Sequence, residues 1–259
     1  MVPDYPLTFW LCAVVAIVFV GIAKAGFGGG IGIVATPLMA MSIPVTDAVA
    51  LLLPLLMVCD VFAVKHYRTH FDRRSVKLLL PGAVLGIAVG SFFFGRFIDD
   101  QRVLQVGIGV LALGFVLFQI LRRIILGALA GHRPQVAEGV LLGALSGFAS
   151  TLVHAGAPPV SIFLLPQQLP RDLFVGTTVI FFAALNLLKV LPYYSLDLFT
   201  AKVLTTTLIL SPLSYVGVKL GIYLNRRFTD LWFNRVVYFI LTLMGAQLIL
   251  GKNLLTLLT

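Results

Sequence analysis

Apolar residues run in blocks of about twenty along nearly the whole chain, separated by short polar stretches. A helix needs about 20 apolar residues to cross the hydrocarbon of a bilayer. Six blocks meet that length without interruption: 46–64, 76–94, 103–121, 173–191, 203–224 and 232–250. Two more are broken. The block 7–42 is too long for one crossing and carries G-I-A-K-A-G-F-G-G-G-I-G over 21–32. The block 139–168 carries S-T-L-V-H-A-G-A-P-P over 150–159. Glycine and proline at that density do not continue an ordinary helix. The stretch 7–20 extends about 21 Å as a helix, past the midplane but not across. The pattern therefore predicts an all-α polytopic membrane protein in which both broken blocks are re-entrant hairpins, with five full crossings per half as the alternative. Hydropathy alone counts eight membrane segments, or ten with each half-helix separate.

The broken blocks correspond. An offset of 126 residues places Gly21 on Gly147, Ala23 on Ala149, Gly30 on Gly156, Leu38 on Leu164, Pro44 on Pro170 and Asp60 on Asn186. The order of elements repeats as well: broken segment, span, polar loop, span, short loop, span. This predicts an internal duplication with repeat 1 over 1–125, a cytoplasmic linker over 126–136, and repeat 2 over 137–259.

Charge sets the expected orientation. The loop 65–77 holds Lys65, Arg68, Arg73, Arg74 and Lys77, which marks a cytoplasmic loop. Its counterpart 192–200 has no Lys or Arg and is expected outside. The loop 95–102 balances Arg96 and Arg102 with Asp99 and Asp100, whereas its counterpart carries Arg226 and Arg227. Corresponding loops fall on opposite sides, so the repeats are expected to be inverted, with both termini outside. The N-terminus does not read as a signal peptide: it has Asp4, no Lys or Arg before the apolar run, and no cleavage site.

Composition narrows the class. The chain has 59% hydrophobic and 11% charged residues and a mean hydropathy of +1.04. Soluble domains carry about a quarter charged residues, so a soluble fold is excluded. The net charge of +9 sits in short loops between spans, where it serves orientation and lipid headgroups rather than nucleic acid. Cys12 and Cys59 lie inside apolar runs and form neither a disulfide framework nor a metal motif. Gly30, Gly32 and Ala35 spell G-x-G-x-x-A, but no β-strand precedes them and no ribose-binding acid follows.

The breaks hold the candidate chemistry. Gly28, Gly29 and Gly30 let a substrate approach the main chain, and a helix starting after them points its free N–H groups at the tip. Gly156 and Ala157, with Pro158 and Pro159, repeat this in the second half. Tight packing by small residues is the competing account. Lys24 is an intramembrane cation, hence a functional candidate or a side chain that reaches out to water. His154 can donate to an oxyanion or serve as a structural hydrogen-bonder. Asp60 is a candidate for a coupling ion, a proton or sodium, or a partner of Lys65. Its counterpart Asn186 joins the candidate substrate site. Thr178, with Thr177, lines the pathway or bonds back within its own helix.

The run G-I-A-K-A-G-F-G-G-G over 21–30, similar to G-x-x-x-G-F-G-G-G with one more residue before Gly26, followed by Pro37 and Leu38, together with A-G-x-P-P-V over 155–160, resembles the sulfite exporter TauE/SafE family, also called the toluene-sulfonate uptake permease family. The resemblance covers about 7–250. It implies a multi-pass inner-membrane transporter of sulfite, thiosulfate, sulfonates or related anions, without enzymatic activity, cofactor or metal. The second half departs from the family pattern, with His154, Ala155, Gly156 and Ala157 where many members have three glycines. A structural or assembly subunit and an intramembrane enzyme are the alternative classes. Import or export, and oligomeric state, are not set by the sequence.

Overall fold

The computed structural model describes residues 3–26, 34–128, 135–225 and 230–251. Among the described residues there are ten α-helices and no strand. They are α1 Leu7–Gly26, α2 Ala35–Ala40, α3 Val45–Tyr67, α4 Arg73–Arg96, α5 Gln101–Ala128, α6 Val136–Val153, α7 Ala157–Leu164, α8 Arg171–Ser195, α9 Ala201–Asn225 and α10 Asp230–Leu250. A 3-10 turn, Leu165–Gln167, joins α7 to α8. Seven of the helices are long and apolar enough to cross a membrane, so the chain is a multi-pass membrane protein.

The helix ends follow local chemistry. Asp72 caps α4, accepting from the amides of Arg74 at 3.3 Å and Ser75 at 2.8 Å. Gln135 and Glu138 form a reciprocal capping box at the start of α6. Pro54, Pro81, Pro192 and Pro212 sit inside helices, as membrane helices tolerate when neighbours satisfy the freed backbone.

The first break starts later than the glycine content suggests. α1 continues through Gly21 and Lys24 to Gly26, a run of 20 residues and about 30 Å. Gly21 serves close packing rather than a turn: a Cβ there would lie 2.7 Å from the Gly217 Cα on α9. Likewise α6 continues through Gly147, whose added Cβ would lie 3.0 Å from the Ala83 Cα. Each hairpin thus joins one long helix to one short one, rather than two half-helices.

Glycines also set the main helix contacts. On α4, Gly82, Gly86 and Gly90 meet Val140, Ala144 and Phe148 of α6 in ascending order, so the two helices run parallel. On α9, Gly217 and Gly221 meet Val18 and Ile22 of α1, again parallel. In contrast, α3 and α8 are antiparallel, with Asp60 beside Asn186 and Tyr67 beside Gly176. So are α5 and α10: Gly109 meets Gly245, and the Arg102 guanidinium donates to the carbonyls of Leu248 and Ile249.

Polar contacts gather the ends. The Tyr5 hydroxyl donates to the Asp47 carboxylate at 3.4 Å, and the Lys202 ammonium lies 3.7 Å from the Tyr5 ring centre. Burial, and then Asp47, hold the Tyr5 phenol above its ordinary pKa. The starts of α1, α3 and α9 therefore share one end of the bundle. At the other end Gln167 donates to Ser75 at 3.2 Å, the Asp72 amide donates to Thr177 at 2.8 Å, and Gly139 packs on Leu78. The starts of α4, α6 and α8 share that end. The described helices of each hairpin, α1 with α2 and α6 with α7, begin and finish toward one end of the bundle.

Candidate functional site

Residues of α1, α2, α3, α6, α7 and α8 line a cavity of about 480 Å³, a volume that includes its open mouth. Val20 and Lys24 come from α1, Leu52 and Leu56 from α3, and Phe182 and Asn186 from α8. Ser150 and His154 close it from the end of α6. Ala35 and Ala157, the first residues of α2 and α7, complete the wall. Neither short helix has a side-chain cap on its first amides, and Pro158 and Pro159 preset the first turn of α7. The six residues of α2 make too short a dipole to carry weight; the eight of α7 supply a modest positive end.

Lys24 does not reach out to water. It is 5% exposed, forms an ion pair with Asp60 at 2.5 Å and donates to the Leu56 carbonyl at 3.1 Å. An ammonium has three protons, so one remains for the cavity. The second Asp60 oxygen accepts from the Asn186 amide at 2.7 Å. Asp60 therefore bonds to Lys24 and Asn186, not to Lys65, and the two residues that align between the halves touch each other.

The second break is built around the end of α6. His154 takes the left-handed conformation, φ 56°, its amide bonds to the Ser150 carbonyl at 3.0 Å and the Ala155 amide reaches back to the Ala149 carbonyl at 3.3 Å, so the helix closes on a left-handed cap. A non-glycine residue in that region costs about 1–2 kcal/mol, which the side chain recovers by its contacts. Three of the last carbonyls of α6 take side-chain donors from elsewhere, those of Thr151 and Val153 at the open helix end and that of Ser150 in addition to the bond it already accepts from the His154 amide at 3.0 Å. Val153 accepts from the Thr36 hydroxyl at 2.7 Å, Thr151 from the Tyr193 hydroxyl at 2.7 Å and Ser150 from the Lys189 ammonium at 3.1 Å. Lys189 also meets the Ser150 hydroxyl at 3.0 Å and His154 Nδ1 at 2.9 Å, with no exposed surface.

The His154 tautomer follows from its partners. Nε2 lies 3.0 Å from the Val49 carbonyl, which only accepts, so Nε2 carries the proton and Nδ1 accepts from Lys189. Both nitrogens are engaged by the protein, and the ring offers the cavity no free donor in this arrangement. Gly156 is packed rather than open: an added Cβ would lie 2.6 Å from the Ser146 hydroxyl and 3.1 Å from the Phe182 ring. Its carbonyl accepts from Ser146 at 2.8 Å. Thr178 bonds back to the Val175 carbonyl at 2.8 Å, and Thr177 to that of Leu173 at 2.6 Å. Neither threonine lines the cavity. Gly28, Gly29 and Gly30 lie outside the described residues.

Sequence reasoning missed Lys189, Ser150 and Tyr193. Lys189 lies inside the block 173–191, and the rule that singled out Lys24 as an intramembrane charge applies to it equally. Its place near the end of a span disguised it. Ser150 and Tyr193 carry no comparable signal.

The family model described as sulfite exporter TauE/SafE matches residues 13–248, which takes in every cavity residue. The chain belongs to the TauE/SafE sulfite exporter family. It is a membrane transporter of that family. No curated protein and no solved structure matches the chain. Among the described residues no group of three or more His, Cys, Asp and Glu side chains is placed to hold a metal ion.

Proposed function

We propose that this transporter carries a small sulfur-containing anion such as sulfite, thiosulfate or an organosulfonate, bound in the cavity between the hairpin tips, across a bacterial-type inner membrane. The observation that carries the reading is the charge at the cavity: two buried lysines stand against one carboxylate. Charges are not kept at membrane depth without use. The third proton of Lys24, the Ser150 hydroxyl and the Asn186 amide supply donors suited to oxyanion oxygens, and the first turn of α7 adds partial positive charge.

Alternating access between two inverted repeats is the mechanism that fits this arrangement. Helices that correspond in the expected duplication, α3 with α8 and α5 with α10, run antiparallel. The parallel contact of α1 on α9 has its counterpart in α6 on α4. The aligned Pro44 and Pro170 precede α3 and α8 with nearly the same torsions, φ −52°, ψ 145° and φ −51°, ψ 146°. Asp60, paired with Lys24 at the cavity, is the group we assign to coupling with a proton or sodium.

The test is reconstitution of the purified chain alone in proteoliposomes, with flux of sulfite, thiosulfate, sulfoacetate and taurine followed under imposed pH and sodium gradients. Saturable flux of at least one anion is expected. Absence of flux with all four, alongside co-purification of a partner protein, turns the reading to a structural subunit; turnover of a substrate in detergent turns it to an intramembrane enzyme.

A further inference from the structure

Resting on that anion site, we infer that the species it selects is a monoanion, and that Lys189 rather than Lys24 supplies the charge that selects it. Three charged side chains belong to the cavity. Lys24 lines it, Asp60 pairs with Lys24, and Lys189 bonds to Ser150 and His154, which line it. Lys24 is the charged side chain among the lining residues. At 2.5 Å, Lys24 and Asp60 form a neutral pair. Lys189 meets three acceptors, and all are uncharged: the carbonyl and hydroxyl of Ser150 and Nδ1 of His154. His154 holds one proton, on Nε2, and adds no charge. With Lys189 held as an ammonium by these three acceptors, the sum is one positive charge.

Capping the end of α6 does not account for that charge. The carbonyls of Thr151 and Val153 are satisfied by neutral hydroxyls, from Tyr193 and Thr36. A neutral donor would serve Ser150 equally, without the desolvation penalty of an ammonium that has no exposed surface. The negative end of α6 offsets only about half a unit. The remaining charge is balanced when an anion sits in the cavity.

Lys189 acts through its neighbour and is a positioning residue. It donates to the Ser150 hydroxyl oxygen, which leaves the single Ser150 proton to turn toward the cavity as a polarised donor. One monoanion cancels the charge of the site. A dianion leaves one negative charge uncancelled in a low-dielectric interior, unless Asp60 gives up its own. A singly charged sulfonate or hydrogensulfite therefore fits the resting cavity, and sulfate does not.

The experiment measures binding of methanesulfonate and sulfate to the purified chain in detergent, by calorimetry at constant ionic strength. The expected parent binds methanesulfonate at least tenfold more tightly than sulfate. Lys189→Met loses at least tenfold in methanesulfonate affinity, and Lys189→Gln, which keeps a neutral donor for Ser150, loses a similar factor. Asp60→Asn, nearly isosteric, leaves two uncancelled cations and shifts preference toward sulfate at least tenfold. Equal parent affinities for the two anions overturn the monoanion inference and leave the anion site standing. Unchanged methanesulfonate affinity in Lys189→Gln overturns the role of Lys189. If neither anion binds the parent, the anion site itself falls, and the inference falls with it.

Discussion

The buried pair of Lys24 and Asp60 gives the most direct energetic test of the site. At 2.5 Å their attraction is about 7 kcal/mol at an effective dielectric of about 20. Removing two ions from water costs several kcal/mol each, so the pair is close to break-even against an apolar replacement. Loss of one partner is different, because the other charge stays buried and unanswered, at about 3–5 kcal/mol. Lys24→Met and Asp60→Leu should therefore each destabilise by about 3–5 kcal/mol, whereas the double variant should recover most of the loss. A coupling energy of about 3 kcal/mol or more follows. The assay is reversible unfolding in mixed micelles, with helical circular dichroism as the signal, on the parent, the two single variants and the double. Additive single effects would refute the claim that the two charges answer each other. Because Asp60→Asn also strands Lys24, bound sulfate should stabilise that variant more than the parent.

Gly86→Leu should prevent tight contact of α4 with α6: even a Cβ there lies 2.7 Å from the Ala144 carbonyl carbon, well inside an ordinary contact. The expected loss is about 3 kcal/mol or more by overpacking, read in the same unfolding assay, while Gly107→Ala, with nothing within 4 Å, should be silent. Tyr193→Phe removes the donor to the Thr151 carbonyl and should cost about 1–3 kcal/mol for a buried acceptor left unpaired. For topology, on a background with Cys12 and Cys59 replaced by serine, a cysteine at Thr69 should be protected from an impermeant reagent in intact cells and one at Ser195 should react. Equal labelling of both from one side would remove the inverted-repeat proposal.

Hydropathy made the helices legible because the bilayer demands a fixed apolar length, and the spans read from sequence fall inside α3, α4, α5, α8, α9 and α10. The ends were less legible. Glycine in the sequence reads as the sign of a break at Gly21, where it permits contact of α1 with α9 instead. A sequence shows that a residue lacks a side chain, not whether turn geometry or a neighbouring helix requires that. The site divides similarly. Lys24, Asp60, His154 and Asn186 were found because charge or hydrogen-bonding capacity is conspicuous in an apolar run. Their pairing was not, since Asp60 has Lys65 close in sequence but Lys24 close in space. Lys189 reaches Ser150 across 39 positions, and no local pattern encodes that contact.

On the proposed duplication, the charges are distributed unequally between the halves. Lys24 aligns with Ser150, and Asp60 with Asn186, so the ion pair of the first half meets two neutral groups in the second. Lys189 aligns with Ala63, yet its ammonium arrives at Ser150, the counterpart of Lys24. Two cations thus stand at related places, one cancelled by a carboxylate and one not. A cavity with a lysine–aspartate pair on each side would be neutral and would have no electrostatic preference for an anion. One with two uncancelled lysines would leave two charges stranded in the empty state, each with the penalty of an unpaired buried ion. A single uncancelled charge is the smallest imbalance that favours an anion, and it lets the empty transporter fold and reorient with only one ion left to satisfy. That ion rests on the end of α6, whose partial negative charge holds it until the anion arrives.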